Sequence, residues 1–202
     1  APPSQRQFWL RAGCQLQSGA QNARLLVVRA TNDQLFSIPV QAYYWQQGCR
    51  AHWLTDDLFI FNDFDREERH YVSRVYSLAE QRQFRRFAYP VQDSFGTDYF
   101  LSLNYRRLMA LRPDYGYRNL PALTSSELSD LKNDGVWRVD YESGKARLIV
   151  SLEDICELSP RPEFAQAVHK LNHVMISPSG RQFIVMHPLS LTPTRPRRRA
   201  SE

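Results

Sequence analysis

Three histidines stand close together late in the chain: His169, His173 and His187. Neutral imidazole is a good ligand for Zn²⁺ or Mn²⁺, and three of them supply most of a coordination shell. His169 precedes His173 by four residues, while His173 and His187 stand at the two ends of one hairpin pattern. A three-residue loop, Pro178-Ser179-Gly180, pairs Ser177 with Arg181 and sets His173 opposite Val185. In that register His173 and His187 are diagonal neighbours on one face, roughly 7–8 Å apart at Cα. A two-residue loop puts them on opposite faces. Two readings stand side by side: a divalent metal site, or separate histidines making ordinary hydrogen bonds with no cofactor.

A second set of side chains with binding chemistry lies around a long insertion at 105–135. It comprises Asn104, Tyr105, Arg106, Arg107, Arg112, Tyr115, Tyr117 and Arg118. Arginine grips carboxylate, sulfate or phosphate through two parallel bonds, and tyrosine stacks on sugar rings. An acidic glycan suits this combination. The candidate ligand-binding residues are therefore Asn104, Arg106, Arg112, Tyr115 and Tyr117, with Asn62 at the matching end of an earlier strand. The alternative is Arg–Tyr packing that anchors a long loop. The run Asn62-Asp63-Phe64-Asp65-Arg66-Glu67-Glu68 is acidic, but it lacks the full Ca²⁺-loop spacing and reads as a polar Asx turn. No GxSxG, Walker, HExxH or paired-carboxylate motif is present, so no catalytic residue is singled out.

These side chains must be positioned by strands. Eleven Phe, ten Tyr and four Trp favour β structure, and 43% hydrophobic residues argue against disorder across the chain. Short apolar runs separated by turn signals predict six hairpins: 24–40, 50–62, 71–88, 90–104, 136–151 and 172–187. Their turns fall at Thr31-Asn32-Asp33, Thr55-Asp56-Asp57, Leu78 to Arg82, Ser94-Phe95-Gly96-Thr97, Glu142-Ser143-Gly144-Lys145 and Pro178-Ser179-Gly180. Gly180 is expected in the left-handed region. The hairpins alternate between outer and inner types, so that two make a four-stranded unit. Asp33 and Glu80 are 47 residues apart, close to the ~40–50 of a propeller blade. Helix is confined to short pieces: a capping box at Thr124-Ser125-Ser126-Glu127, then turns over 152–158 and 162–171. Residues 105–111 read either as helix or as continuing strand.

The turn Ser177-Pro178-Ser179-Gly180-Arg181-Gln182-Phe183-Ile184 resembles the Ser-Pro-Asp-Gly-Lys turn of WD-like propellers. That group includes the periplasmic Tol-system propeller and the oligogalacturonate lyase propeller. Gly135 to Lys145 is similar to their outer-hairpin pattern, aromatic-x-hydrophobic-Asp-x-x-x-Gly. The stretch from about 45 to 187 resembles uncharacterised bacterial propeller proteins associated with surface-polysaccharide genes. The resemblance lies in Gln47-Gly48-Cys49, Phe61 to Asp65, Asn104 to Leu108, Arg112 to Tyr117 and His169 to His173.

The resemblance implies an all-β β-propeller of four-stranded antiparallel blades, about three to four of them in this chain. Its segments are an N-terminal stretch 1–23 without a clear hairpin, blades over 24–188, and a basic tail over 189–202. Closed propellers usually have four to eight blades, so completion through a partner chain, and hence an oligomer, is one expectation. In a blade, the start of the first strand, the end of the second and the loop into the third share one face. That places His173, His187, Asn62, Asn104 and the insertion on a common rim.

Three functions follow. The first is a non-catalytic propeller binding a ligand or partner, a carbohydrate for example, on that rim. The second is a metal-dependent lyase acting on acidic glycans, with His169, His173 and His187 on Mn²⁺ or Zn²⁺ and an arginine neutralising a uronate. The third is a scaffold for protein partners.

Charge and composition narrow the field. The net charge is +5, of which the tail 194–202 supplies +3 through four Arg and one Glu, so nucleic acid ranks last among partners. No apolar run approaches the ~18 residues of a membrane span. Cys14, Cys49 and Cys156 are odd in number and lack CxxC spacing, which indicates neither a disulfide framework nor a structural zinc motif. A chain opening on Ala1 is compatible with a trimmed leader, a processed start or a fragment. Cytoplasm and periplasm both remain open.

Overall fold

The structure, a computed structural model, describes residues 8–14, 23–29, 34–44, 46–113 and 115–190, with backbone alone for 8–14, 29 and 34. The expected turn at Thr31-Asn32-Asp33, and the tail from residue 191, lie outside the described residues. The fold is predominantly β, and every strand pairing is antiparallel. The chain divides into two compact units, residues 1–90 and 91–202.

The first unit holds two meanders. One is a three-stranded sheet of β1 (Phe8–Cys14), β2 (Ala23–Arg29) and β3 (Gln34–Val40). Its first strand falls in a segment where no hairpin was expected. Apolar alternation along β2 explains the sheet: Ala23, Leu25 and Val27 are buried while Arg24 is exposed. The other meander is four-stranded: β4 (His52–Trp53), β5 (Leu58–Asp65), β6 (His70–Ser77) and β7 (Arg82–Phe87). β5 is buried over Phe59 to Asp63, as an interior strand covered on both faces must be. β7 is the edge, and its arginines Arg82, Arg85 and Arg86 blunt it against further pairing. Ala23, Leu25, Val27, Val40, Cys49, Phe59 and Phe61 form one core.

The second unit repeats the four-stranded meander with β8 (Asp93–Phe95), β9 (Tyr99–Ser102), β10 (Gly135–Asp140) and β11 (Ala146–Ser151). Between β9 and β10 the insertion carries helices α1 (Tyr105–Leu111) and α2 (Ser125–Ser129). Thus 105–111 is helix, because Asn104 ends the strand: its side chain accepts from the backbone N–H groups of Arg106 and Arg107. The Thr124/Glu127 capping box forms as expected. After β11 come α3 (Leu152–Leu158), a 3₁₀ turn (Pro162–Gln166), β12 (Val168–His169), β13 (Asn172–Ile176), β14 (Phe183–Met186) and β15 (Leu189–Ser190). β12 pairs with β15, so the stretch assigned to the tail begins with a strand. The core here is Tyr99, Leu101, Leu103, Val136, Leu152, Leu171 and Val174.

All six expected hairpins are present as antiparallel pairs. The register of the last one differs from expectation. Ser177 donates to the carbonyl of Gln182, and Ile176 opposes Phe183, so the loop has four residues rather than three. A bulge between Asn172 and Met175 takes up the extra residue and restores Asn172 opposite Met186. It forces His173 to φ +51°, a left-handed conformation rare for a side chain of this size. Gly180 is left-handed as expected, at φ +68°, and a Cβ there would meet the Phe95 ring at 2.7 Å.

Candidate functional site

The chemistry-bearing residues of the second unit collect in two places. The first is built by the two-residue ladder of β12 and β15. Its register sets His169 opposite Leu189, and His187 enters two residues before that position. The imidazoles stack with centroids 5.1 Å apart, and His169 Nδ1 lies 3.0 Å from His187 Nε2. Cys156, from α3, brings its Sγ to 3.5 Å from His169 Nδ1. Phe164, on the 3₁₀ turn, stands edge-on to both rings at 5.3 and 5.6 Å.

His169 is fully buried, and its Nε2 lies 3.0 Å from the Phe164 carbonyl oxygen. A carbonyl only accepts, so Nε2 carries a proton. In the neutral ring Nδ1 is then the unprotonated nitrogen, 3.0 Å from His187 Nε2, while Cys156 Sγ sits beside the ring, 3.5 Å from Nδ1 and 3.9 Å from Nε2. Burial, and then the neighbouring His169, hold the His187 pKa below its usual value. Burial, and then Glu157, push the Cys156 thiol up.

The expected trio of His169, His173 and His187 is therefore corrected in one member. Among the described residues the converging ligand atoms belong to Cys156, His169 and His187. His173 is exposed and meets the edge of Tyr115 at 6.0 Å instead, because its bulge turns it away from the β12–β15 ladder. Cys156 carried no motif; only α3, placed beside the ladder, brings it in.

The second place is a cationic patch. Arg112, at the C-cap of α1, lays its guanidinium 4.5 Å from the centre of the half-buried Tyr115 ring. Lys170 follows β12, and its pKa is lowered by burial and then by the charge of Arg112. Tyr115 in turn meets His173. No carboxylate pairs with Arg112 or Lys170 among the described residues.

The other expected ligand contacts are engaged inside the fold. Asn62 is buried in the middle of β5, its N–H donating to the Cys49 carbonyl at 2.7 Å. Tyr117 is buried, its ring stacked on Tyr105 at 4.3 Å. A side chain with no exposed surface offers a rim ligand nothing, so both leave the ligand set. Asn104 caps α1 and donates to Asp134 at 2.9 Å. Arg106 pairs with Glu127 at 3.1 Å.

Arg107, part of the Arg–Tyr set of the insertion but not among the ligand-binding residues singled out from it, is the anchor of the insertion. Its guanidinium donates to Asp134 at 2.5 Å and to the carbonyls of Leu128, His169, Glu127 and Asp130 at 2.8–3.1 Å. In the first unit, a cleft of about 640 Å³ is lined by Gln41, Asp63, Arg66 and Arg74 among others. Its polar groups pair with one another: Arg74 with Asp63 at 2.8 Å, and Arg66 with Gln41 at 2.6 Å.

No family model, no curated protein and no solved structure matches this chain.

Proposed function

We propose that this protein is a binding module of the β-propeller type that holds an acidic carbohydrate on the Arg112 patch. The propeller reading is supported by two four-stranded antiparallel meanders, each the size of a blade, with a further hairpin following the second. The binding reading is carried by one observation: the Arg112 guanidinium carbon lies 4.5 Å from the centre of the Tyr115 ring; the charge of Arg112 also contributes, after burial, to the lowered pKa of Lys170. Like charges with no carboxylate paired to them among the described residues cost free energy, and an anion relieves that cost. The guanidinium offers a bidentate hold on a carboxylate or sulfate, while Tyr115 and His173 present ring surface to a sugar.

Calorimetric titration with uronate oligosaccharides, against neutral oligosaccharides of the same length, tests this. Binding is expected only to the acidic series, weakening with salt and falling at least about tenfold in Arg112→Ala, the scale of one charge-assisted bond. Acidic oligosaccharide binding that is untouched by Arg112→Ala, or absent altogether, overturns the assignment. Unsaturated product released from a uronate polymer replaces the binding module with a lyase.

A further inference from the structure

The Cys156–His169–His187 cluster has no part in the patch just described, and its geometry is that of a coordination shell. We propose that these three side chains form a zinc site, with a fourth position left for water or an incoming ligand.

The distances carry the argument. A tetrahedral Zn²⁺ with Zn–S of about 2.3 Å and Zn–N of about 2.0–2.1 Å holds sulfur about 3.5 Å from nitrogen, and nitrogens about 3.3 Å from each other. Cys156 Sγ and His169 Nδ1 are 3.5 Å apart, and His169 Nδ1 and His187 Nε2 are 3.0 Å apart. All three donor atoms lie within 4.8 Å of one another. Seating the ion opens the two imidazoles by a few tenths of an ångström and draws Cys156 Sγ and His187, which lie within 4.8 Å of each other, to about 3.5 Å.

The donor set selects the metal. One thiolate and two imidazoles suit a borderline-soft ion such as Zn²⁺, whereas Mg²⁺ and Ca²⁺ prefer oxygen ligands, and no carboxylate joins this cluster among the described residues.

The surroundings hold the ligands as a metal site requires. His169 gives its Nε2–H to the Phe164 carbonyl, the outer bond that fixes a ligating imidazole's tautomer and leaves Nδ1 bare. Its own carbonyl is held by Arg107 at 3.1 Å, so the backbone beneath the ligand is pinned as well. Phe164 packs against both rings and keeps their planes fixed. The three ligands come from α3, β12 and the link between β14 and β15, so the ion ties α3 to the two-residue ladder of β12 and β15. On binding, the Cys156 S–H bond breaks, the sulfur lone pair goes to Zn²⁺, and the proton leaves to solvent.

The test uses the full-length chain, stripped of metal and titrated with Co²⁺ and then with Zn²⁺. One Co²⁺ per chain is expected, with the strong visible bands of tetrahedral coordination and a thiolate-to-cobalt charge-transfer band in the near ultraviolet. Zn²⁺ then displaces it stoichiometrically. Cys156→Ser is expected to abolish the charge-transfer band. Both Cys156→Ser and His187→Gln are expected to weaken Zn²⁺ binding beyond the roughly 10–100-fold that loss of an outer-shell partner costs. The wild-type spectrum decides the matter even where a variant folds poorly. Failure of the wild type to take up one Co²⁺ or Zn²⁺, or a charge-transfer band that survives in folded Cys156→Ser, overturns the site.

Discussion

The two four-stranded sheets differ most where their second strand passes to their third. In the first unit β5 turns into β6 through residues 66–69; in the second, β9 reaches β10 only after residues 103–134. Both passages begin with the same move. Asp65 accepts hydrogen bonds from the backbone N–H groups of Glu67 and Glu68, and Asn104 accepts from those of Arg106 and Arg107. In the first case the chain turns back at once through a left-handed Arg69; in the second the same cap launches α1. A short-range side-chain bond therefore starts the passage without deciding its length.

What each passage needs for stability also differs. The short one is tied by Arg86 to Asp65 and Glu68 near solvent, whereas the long one hangs on the buried Arg107–Asp134 pair. Removing one partner of a buried pair strands a charge, and that costs about 3–5 kcal/mol. Arg107→Ala is accordingly expected to lower the unfolding free energy of the full chain, read by urea denaturation, by that amount, and Arg86→Ala by far less. Equal losses from the two variants break the contrast.

A smaller effect separates the turns. Gln81, between β6 and β7, and Gly144, between β10 and β11, are both left-handed, at φ +51° and +69°. A side chain in that region costs about 1–2 kcal/mol. Gln81→Gly is expected to gain about 1 kcal/mol and Gly144→Ala to lose as much, read by thermal denaturation. The same sign from both contradicts the shared conformation.

The smallest effect is in acid. Backbone hydrogen bonds at Glu68 lower the Asp65 pKa; Thr124 and then Arg106 lower that of Glu127; Asn133 lowers that of Asp130. A lowered folded-state value means the stabilisation is complete above the ordinary values of 3.8 and 4.5 and is lost as pH falls below them. Among the described residues the insertion has two such carboxylates and the short turn one, so Glu127→Gln with Asp130→Asn is expected to flatten the acid limb of the stability curve more than Asp65→Asn.

The strands were largely legible because their signals are local. Alternation in β2, the capping box at Thr124 and the glycine at 180 are each set within a few residues. β1 escaped because Phe8–Cys14 has no turn-and-strand partner pattern of its own and pairs only by laying itself along β2. The last hairpin was misread by one residue for a related reason. A Pro-Ser-Gly loop of three or four residues leaves the same local trace, and the bulge at His173 cancels the difference one turn later.

The site shows the same division more sharply. His169 and His187 could be picked out by type, and Arg112 with Tyr115 by composition and proximity. Cys156 could not: a thiol thirteen residues from His169, in a chain without CxxC spacing, carries no sign of its partner. Arg107 looked like its neighbour Arg106, yet one is buried on Asp134 and the other lies half-exposed beside Glu127.

By itself the sequence determined the six hairpins, the place of most described turns, the capping box at Thr124 and the side chains with binding chemistry, because pleat periodicity, capping and backbone freedom act over a few residues. Only the tertiary structure decided which of those side chains meet. The two-residue β12–β15 ladder joins His169 to His187, α3 delivers Cys156, and a bulge sends His173 to Tyr115. Each is a meeting of segments distant in sequence, fixed by packing and register rather than by any residue's own preference.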